Sequence, residues 1–238
     1  MKPPKYKDNE PHDQNASIQL NKLRAAVLGA NDGIVSIAGL VVGVAGATNQ
    51  RSAIFTAGLA GILAGALSMA AGEYVSVSSQ RDTEQSMLNK ERYELKNYPK
   101  EELAELTQIY IKKGLSPATA ATVARELSKK DSYAAHIDAE LAINPKHLAN
   151  PWHAAIASAS AFLAGALLPI LAIMLPPEHS RIIITFIATI FALILTGTLS
   201  AKFGNAPVKH AIVRVTTGGA LAMAVTYAIG HIVGAAAF

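Results

Sequence analysis

Five stretches of this chain, residues 25–48, 52–77, 153–175, 181–201 and 208–235, are predominantly apolar over about 20 residues or more, the length an α-helix needs to cross a hydrocarbon core of roughly 30 Å. Inside a bilayer every backbone N–H and C=O has to be paired within the protein, so a spanning segment is a helix or a strand of a closed barrel. No period of two stands out, and helices are expected. Only Asn49, Gln50 and Arg51 separate the first two stretches, which must therefore form an antiparallel hairpin. Pro176-Pro177 follows the third, and Gly, Asn and Pro within 202–207 mark a tight turn between the last two. The apolar content of 51% comes with only 6% aromatics, so it rests on Ala, Gly, Ile, Leu and Val. That balance suits membrane helices packed through small residues better than a soluble core. Gly39/Gly43, Gly61/Gly65 and Gly230/Gly234 repeat the small-xxx-small spacing, within or between subunits.

Charge placement orients the chain. Lys2, Lys5, Lys7, Lys22 and Arg24 precede the first span, eleven basic residues lie in 78–150, and Lys202, Lys209 and Arg214 flank the last turn. Only Arg51 and Arg181 fall on the opposite side. Cationic loops stay cytoplasmic, which puts the N-terminus and segment 78–150 inside and the C-terminus outside. Residues 1–24 are polar, lack the apolar core of a signal peptide and are expected to form a disordered cytoplasmic tail. With no targeting peptide and short loops, the expected location is a plasma (inner) membrane, or a vacuolar membrane if the source is eukaryotic. The sequence pI of about 9.2 raises the question of nucleic acid. Segment 78–150, however, carries eleven acidic residues against its eleven basic ones, and a neutral surface excludes that partner. The absence of cysteine excludes thiolate metal sites and cysteine nucleophiles.

The expected fold is therefore an all-α polytopic membrane protein: helices 1–2 within 25–77, a cytoplasmic helical insert at 78–150, and helices 3–5 within 151–238. In the insert the second helix continues to about Asn97, followed by helices over 99–113, 117–130 and 132–143. Pro99 and Pro117 suit first-turn positions, Ser116 and Asp131 can cap, and Gly114 can close a helix.

Asp32 lies about 10 Å into the first span, taking 1.5 Å per residue. A carboxylate at such depth costs roughly 2.5–3.5 kcal/mol and normally faces a cavity, a partner or a translocated ion. A structural ion pair, for instance with Arg214, competes with a functional role. Met69 and Glu73, at i and i+4, share a helix face. A thioether beside a carboxylate suits a first-row transition metal better than Mg²⁺ or Ca²⁺, although a lone Met usually packs and Glu73 can snorkel. Glu91/Glu94 and Glu102/Glu105 are ExxE pairs on helices joined around Pro99, able to turn four carboxylates into one gap, as di-metal bundles do. His136 and Glu140, again i and i+4, would add a nitrogen and an oxygen. Lys90, Arg92 and Lys96 intermingle with these acids, so a solvated face laced with salt bridges fits the same spacing. Gly-rich phosphate loops and Ser/His/Asp signatures are absent, as are the Glu-x-x-His motifs of a ferritin-like centre. This weakens the alternative of a membrane-anchored ferroxidase or iron-storage protein.

NDGIVSIAGLVVGVAGA (31–47) followed by AGALSMAAGEYVSVSSQRDTE (64–84) resembles the first hairpin of the vacuolar iron transporter family, and the likeness extends over nearly the whole chain to a TGG-containing last span. The resemblance implies a homodimeric transporter, not an enzyme, with its path at the dimer interface. Its cargo would be Fe²⁺ and often Mn²⁺, exported from the cytosol in exchange for protons, with no resident cofactor. It assigns Asp32 and Met69 to the path, and Glu91, Glu94, Glu102, Glu105 and Glu140 to a cytoplasmic metal-binding domain. Plant members carry methionines where this chain has His136 and Ile137, and an acid where it has Gly61; Glu73 can take over the role of that acid.

Overall fold

The computed structural model describes residues 14–145, 148–204 and 206–237. Among them there are only helices, turns and short connections, and five helices are long and apolar enough to span a membrane. The protein is a polytopic all-α membrane protein. Its helices are α1 (Gln14–Ala47), α2 (Arg51–Asn97), α3 (Pro99–Lys112), α4 (Pro117–His136), α5 (Pro151–Met174), α6 (Glu178–Phe203) and α7 (Val208–Ala237), with a π-helical turn at Ile137–Leu141 after α4.

Residues 14–24, expected in a polar tail, belong to α1 instead. Pro3, Pro4 and Pro11 all precede Gln14, and nothing in QNASIQLNKLR interrupts a helix once it has started. The rest of the expected tail lies outside the described residues.

The described residues form two compact units, which divide at Tyr74/Val75 within α2 and at Pro151/Trp152. The 47 residues of α2 rise about 70 Å along the helix at 1.5 Å each, far more than one crossing uses.

In the apolar unit α1 is the hub. Ile37, Val41, Val42 and Ala45 pack with Ile54, Ala66, Phe162, Ala166 and Ile173. Lipid tails are as apolar as these side chains, so close packing, not water exclusion, holds the helices together. Glycine makes that packing possible. A methyl on Gly230 would overlap the backbone of Gly43, and one on Gly165 would overlap the backbone of Ala30, so α7 and α5 both meet α1 backbone to backbone. The Gly39/Gly43 and Gly230/Gly234 pairs thus work within the chain. Deeper in, the Thr196 hydroxyl donates to Asn31 Oδ1 at 2.5 Å and ties α6 to α1.

The two arginines expected on the outer side each hold the opposite loop. Arg51 Nη2 donates to the Pro176 carbonyl at 2.8 Å, and the buried Arg181 donates to Asn49 O at 3.1 Å and Oδ1 at 3.3 Å. At the other end, Tyr74 and Trp152 pack with ring centroids 4.8 Å apart, an aromatic pair of the kind that sits at a membrane surface.

The second unit contains the rest of α2, then α3, α4 and the π turn. Its ends follow local chemistry. Gly114, at φ +101°, closes α3 in a conformation open to glycine, and Ser116 accepts from Thr119 N at 3.3 Å to cap α4. At Asp131 the backbone leaves the helix (φ −162°, ψ 98°) and Oδ1 accepts from Ala134 N at 2.9 Å, restarting it. The helices expected over 117–130 and 132–143 are therefore the two arms of a kinked α4. The second arm ends early, in the π turn, with Ala142 in the left-handed region. Leu88, Leu106, Ala120, Ala124 and Ile137 are buried in this unit.

Gly230→Leu should force α7 off α1 and lower the unfolding midpoint in detergent micelles by about 5 °C or more, since overpacking costs roughly 1–3 kcal/mol. Gly218→Ala, where an added methyl meets nothing within 4 Å, should leave the midpoint unchanged. Equal behaviour of the two variants in a thermal scan would contradict the close-contact reading.

Candidate metal sites

The helices assemble two separate clusters, one in each unit. In the apolar unit a pocket of about 350 Å³ is lined by Asp32, Ser36, Ile37 and Leu40 of α1, Gly61, Gly65, Ser68 and Met69 of α2, and Phe162 of α5. Asp32 and Met69, named from sequence on different helices, therefore line one space. A side chain at Gly61 would run into Leu40, and one at Gly65 into the Phe162 ring, so both glycines keep this pocket's packing possible. Ser36 lies one turn after Asp32, and its hydroxyl donates to the Asp32 backbone carbonyl, leaving the carboxylate uncapped by it. Among the described residues no ion pair joins Asp32 to Arg214. Asp32, Ser36 and Ser68 are exposed on the surface of the single chain. Glu73 is half-buried one turn beyond Met69 and is not among the lining residues. Ser36 and Ser68 escaped the sequence reading, although the i, i+4 step from Asp32 to Ser36 and the adjacency of Ser68 to Met69 were there to be used.

The second cluster belongs to the other unit. Glu91 of α2, Glu102 of α3 and His136 at the end of α4 are all buried, and one ligand atom from each lies within 4.8 Å of the other two. His136 Nδ1 is 2.9 Å from Glu91 Oε1, 3.5 Å from Glu102 Oε2 and 3.7 Å from Glu140 Oε2. The closest of these is short enough for a hydrogen bond, yet its angles do not make one: both Glu91 Oε1 and His136 Nδ1 are buried without a hydrogen-bond partner. Two donors at about 2.1 Å from one ion stand about 3.0–3.4 Å apart in octahedral or tetrahedral geometry. Atoms at that spacing, aimed past one another, fit a shared cation better than a direct bond.

The acids divide into an inner and an outer set. Glu91 and Glu102 are inside, while Glu105 and Glu140 are exposed and Glu94 is partly so, paired at 3.3 Å with the exposed Lys90. Such a surface pair contributes little. The solvated-face reading thus holds for part of each ExxE motif and fails for Glu91 and Glu102. Burial first, then the charges of Glu140, Glu102, Glu94 and Glu105, push the Glu91 carboxyl up to about 7. Burial, followed by Glu105, Glu94 and Glu140, also raises Glu102. Glu91 and Glu102 therefore both stand in the field of Glu94, Glu105 and Glu140, a concentration of negative charge that a divalent cation would neutralise. The π turn brings Glu140 close to His136, and a wide turn of this kind is frequent where a side chain has to be re-aimed.

The model that describes the VIT family matches residues 23–231. A vacuolar iron transporter of Acanthamoeba castellanii is 44% identical over 212 residues, 88% of this chain and 78% of its own length. Vacuolar iron transporter homolog 2.1 of Arabidopsis thaliana is 35% identical over 216 residues, 90% of this chain and 83% of its own length. Vacuolar iron transporter homolog 1 of Oryza sativa subsp. japonica is 38% identical over 208 residues, covering 87% of this chain and 72% of its own length.

Because its carboxyl is raised in the folded state, Glu91 binds a proton more tightly folded than unfolded. Its contribution to stability is complete below its ordinary value of 4.5 and is lost as pH rises to about 7. Metal-free protein in chelator should therefore melt at a higher temperature at pH 5 than at pH 8, and Glu91→Gln should shrink that difference. A pH dependence identical in the two proteins would contradict the buried, mutually repelling cluster.

Proposed function

The chain belongs to the VIT family, and from that premise we propose that it is a transporter, and not an enzyme, that moves a divalent transition-metal ion, Fe²⁺ in preference to Mn²⁺, out of the cytosol. The observation that carries this reading is the meeting of a carboxylate and a thioether, Asp32 and Met69, in one pocket of a helical unit apolar enough to span a bilayer. Oxygen and sulfur together favour a first-row metal over Mg²⁺ or Ca²⁺. The relatives' names point the same way, since they are called vacuolar iron transporters or homologs of them.

In this reading Glu91, Glu102 and His136 hold the ion on the cytoplasmic side, with Glu94, Glu105 and Glu140 attracting it. Asp32, Met69 and Glu73 then carry it through the membrane. The ion is cargo, and its sites must release it. Protons supply a way to do so, because a carboxyl oxygen binds a metal only when deprotonated. Protons entering from the outer side would displace the ion from Asp32 and couple the two flows in opposite directions. The exposure of Asp32, Ser36 and Ser68 on a single chain favours a homodimer: in lipid these groups would need cover, and a second copy related by a two-fold axis supplies the same pocket from the other side. The few basic residues near Arg51 and Arg181 favour a cytoplasmic N-terminus, in a plasma membrane or, in a eukaryote, a vacuolar one.

Proteoliposomes loaded with an iron-sensitive dye test this directly. Asp32→Ala should reduce proton-gradient-driven Fe²⁺ flux to the level of empty vesicles, and undiminished flux would remove Asp32 from the path. Separately, Glu91→Gln with Glu102→Gln should weaken divalent-metal binding by the purified chain about tenfold or more, because two of the buried ligands are lost. Unchanged affinity by calorimetry would remove that cluster from the account.

A further inference from the structure

His136 differs from the glutamates around it in donor type and in what surrounds it. Its side chain is 0% exposed, and both ring nitrogens are buried without a hydrogen-bond partner. A neutral imidazole sealed from water normally finds a partner for its N–H, because an orphaned buried donor or acceptor costs about 1–3 kcal/mol. Nδ1 is the nitrogen that faces three carboxylates, at 2.9, 3.5 and 3.7 Å. Glu91 Oε1, the nearest of their atoms, is likewise orphaned. The Asp131 cap and the π turn flank His136 on either side along the chain.

We infer that His136 is the specificity-determining ligand of the soluble unit, binding through Nδ1 and selecting ions with a high affinity for imidazole nitrogen, such as Zn²⁺, Co²⁺ and Fe²⁺, over Mg²⁺ and Mn²⁺. This rests on the reading of the Glu91–Glu102–His136 cluster as a metal site and deepens it. The physical reason is that oxygen ligands alone discriminate weakly. Carboxylates accept Mg²⁺, Ca²⁺ and Mn²⁺ readily, and the cytosol supplies Mg²⁺ in excess. One imidazole in a fixed position adds little for those hard ions and much for later first-row metals. Selection would then occur before the cargo reaches the membrane pocket, where the thioether of Met69 is the soft donor.

The test uses the full chain in detergent micelles on an Asp32→Ala background, so that the membrane pocket contributes least. Zn²⁺, Co²⁺, Mn²⁺ and Mg²⁺ are titrated by calorimetry into the parent and into the His136→Gln variant. The variant should lose about tenfold or more in affinity for Zn²⁺ and Co²⁺ and less than about threefold for Mn²⁺ and Mg²⁺, so that the preference collapses. Equal losses for all four ions, or none, would overturn the inference while leaving a metal site in place. A parent that binds none of them would overturn the site itself. If His136→Gln does not fold, pulsed EPR of the parent and of the Glu91→Gln/Glu102→Gln protein with one equivalent of Cu²⁺ decides: imidazole nitrogen coupling is expected in the parent and reduced in the double variant, and its absence from the parent, or equal coupling in both, rejects the assignment.

Discussion

Backbone-to-backbone contact between α1 and its neighbours α5 and α7 underlies the whole apolar unit. Where Gly43 faces Gly230, and where Gly165 meets Ala30, no side chain intervenes, and the helices come as near as main chains allow. In a solvent as apolar as the side chains themselves, this closeness supplies the dispersion contacts that water exclusion would supply elsewhere. It also sets the position of α1 to within what a single methyl group would disturb. Asp32 is on that helix, so the packing that holds α1 decides where the one acid of the first span stands. The contacts of Arg51 with Pro176 and of Arg181 with Asn49, and the Asn31–Thr196 bond, add directional restraints to the same framework.

The second unit solves a different problem. Here the chain buries two carboxylates beside an imidazole. Without an ion that arrangement is electrostatically unfavourable, which is why burial and neighbouring charge raise Glu91 and Glu102 together. Under the proposed function such a cluster, uncomfortable empty and neutralised by a dication, would hold its ion only until protons compete for the same oxygens.

Much of this was legible in the residues, for physical reasons that differ from place to place. Spanning helices declare themselves by length and apolarity, and the observed α5, Pro151–Met174, lies within two residues of the expected 153–175. Asp32 stood out as a charge amid apolar residues, while the pocket it shares with Met69 depends on how α1 and α2 cross. Caps at Ser116 and Asp131 and the glycine closing α3 follow from local chemistry alone. What was not legible depends on rotation and crossing. ExxE spacing cannot say that Glu91 and Glu102 turn inward while Glu105 stays out. Phe162 and Gly65 meet only because α5 crosses α2 at that height. The π turn that brings Glu140 near His136 has no sequence marker, and the early start of α1 was masked by the polarity of residues that form a helix nonetheless.

The central claim is that ions cross through the pocket between Asp32 and Met69. The chain contains no cysteine, so one introduced at Ser36, inside the pocket lining, is the sole target for a water-soluble, positively charged thiol reagent. Fe²⁺ flux through Ser36→Cys protein in proteoliposomes, recorded before and after complete labelling, tests the claim most directly. The account predicts that flux present before labelling stops once the charge occupies the pocket. Full labelling with flux unchanged would contradict it.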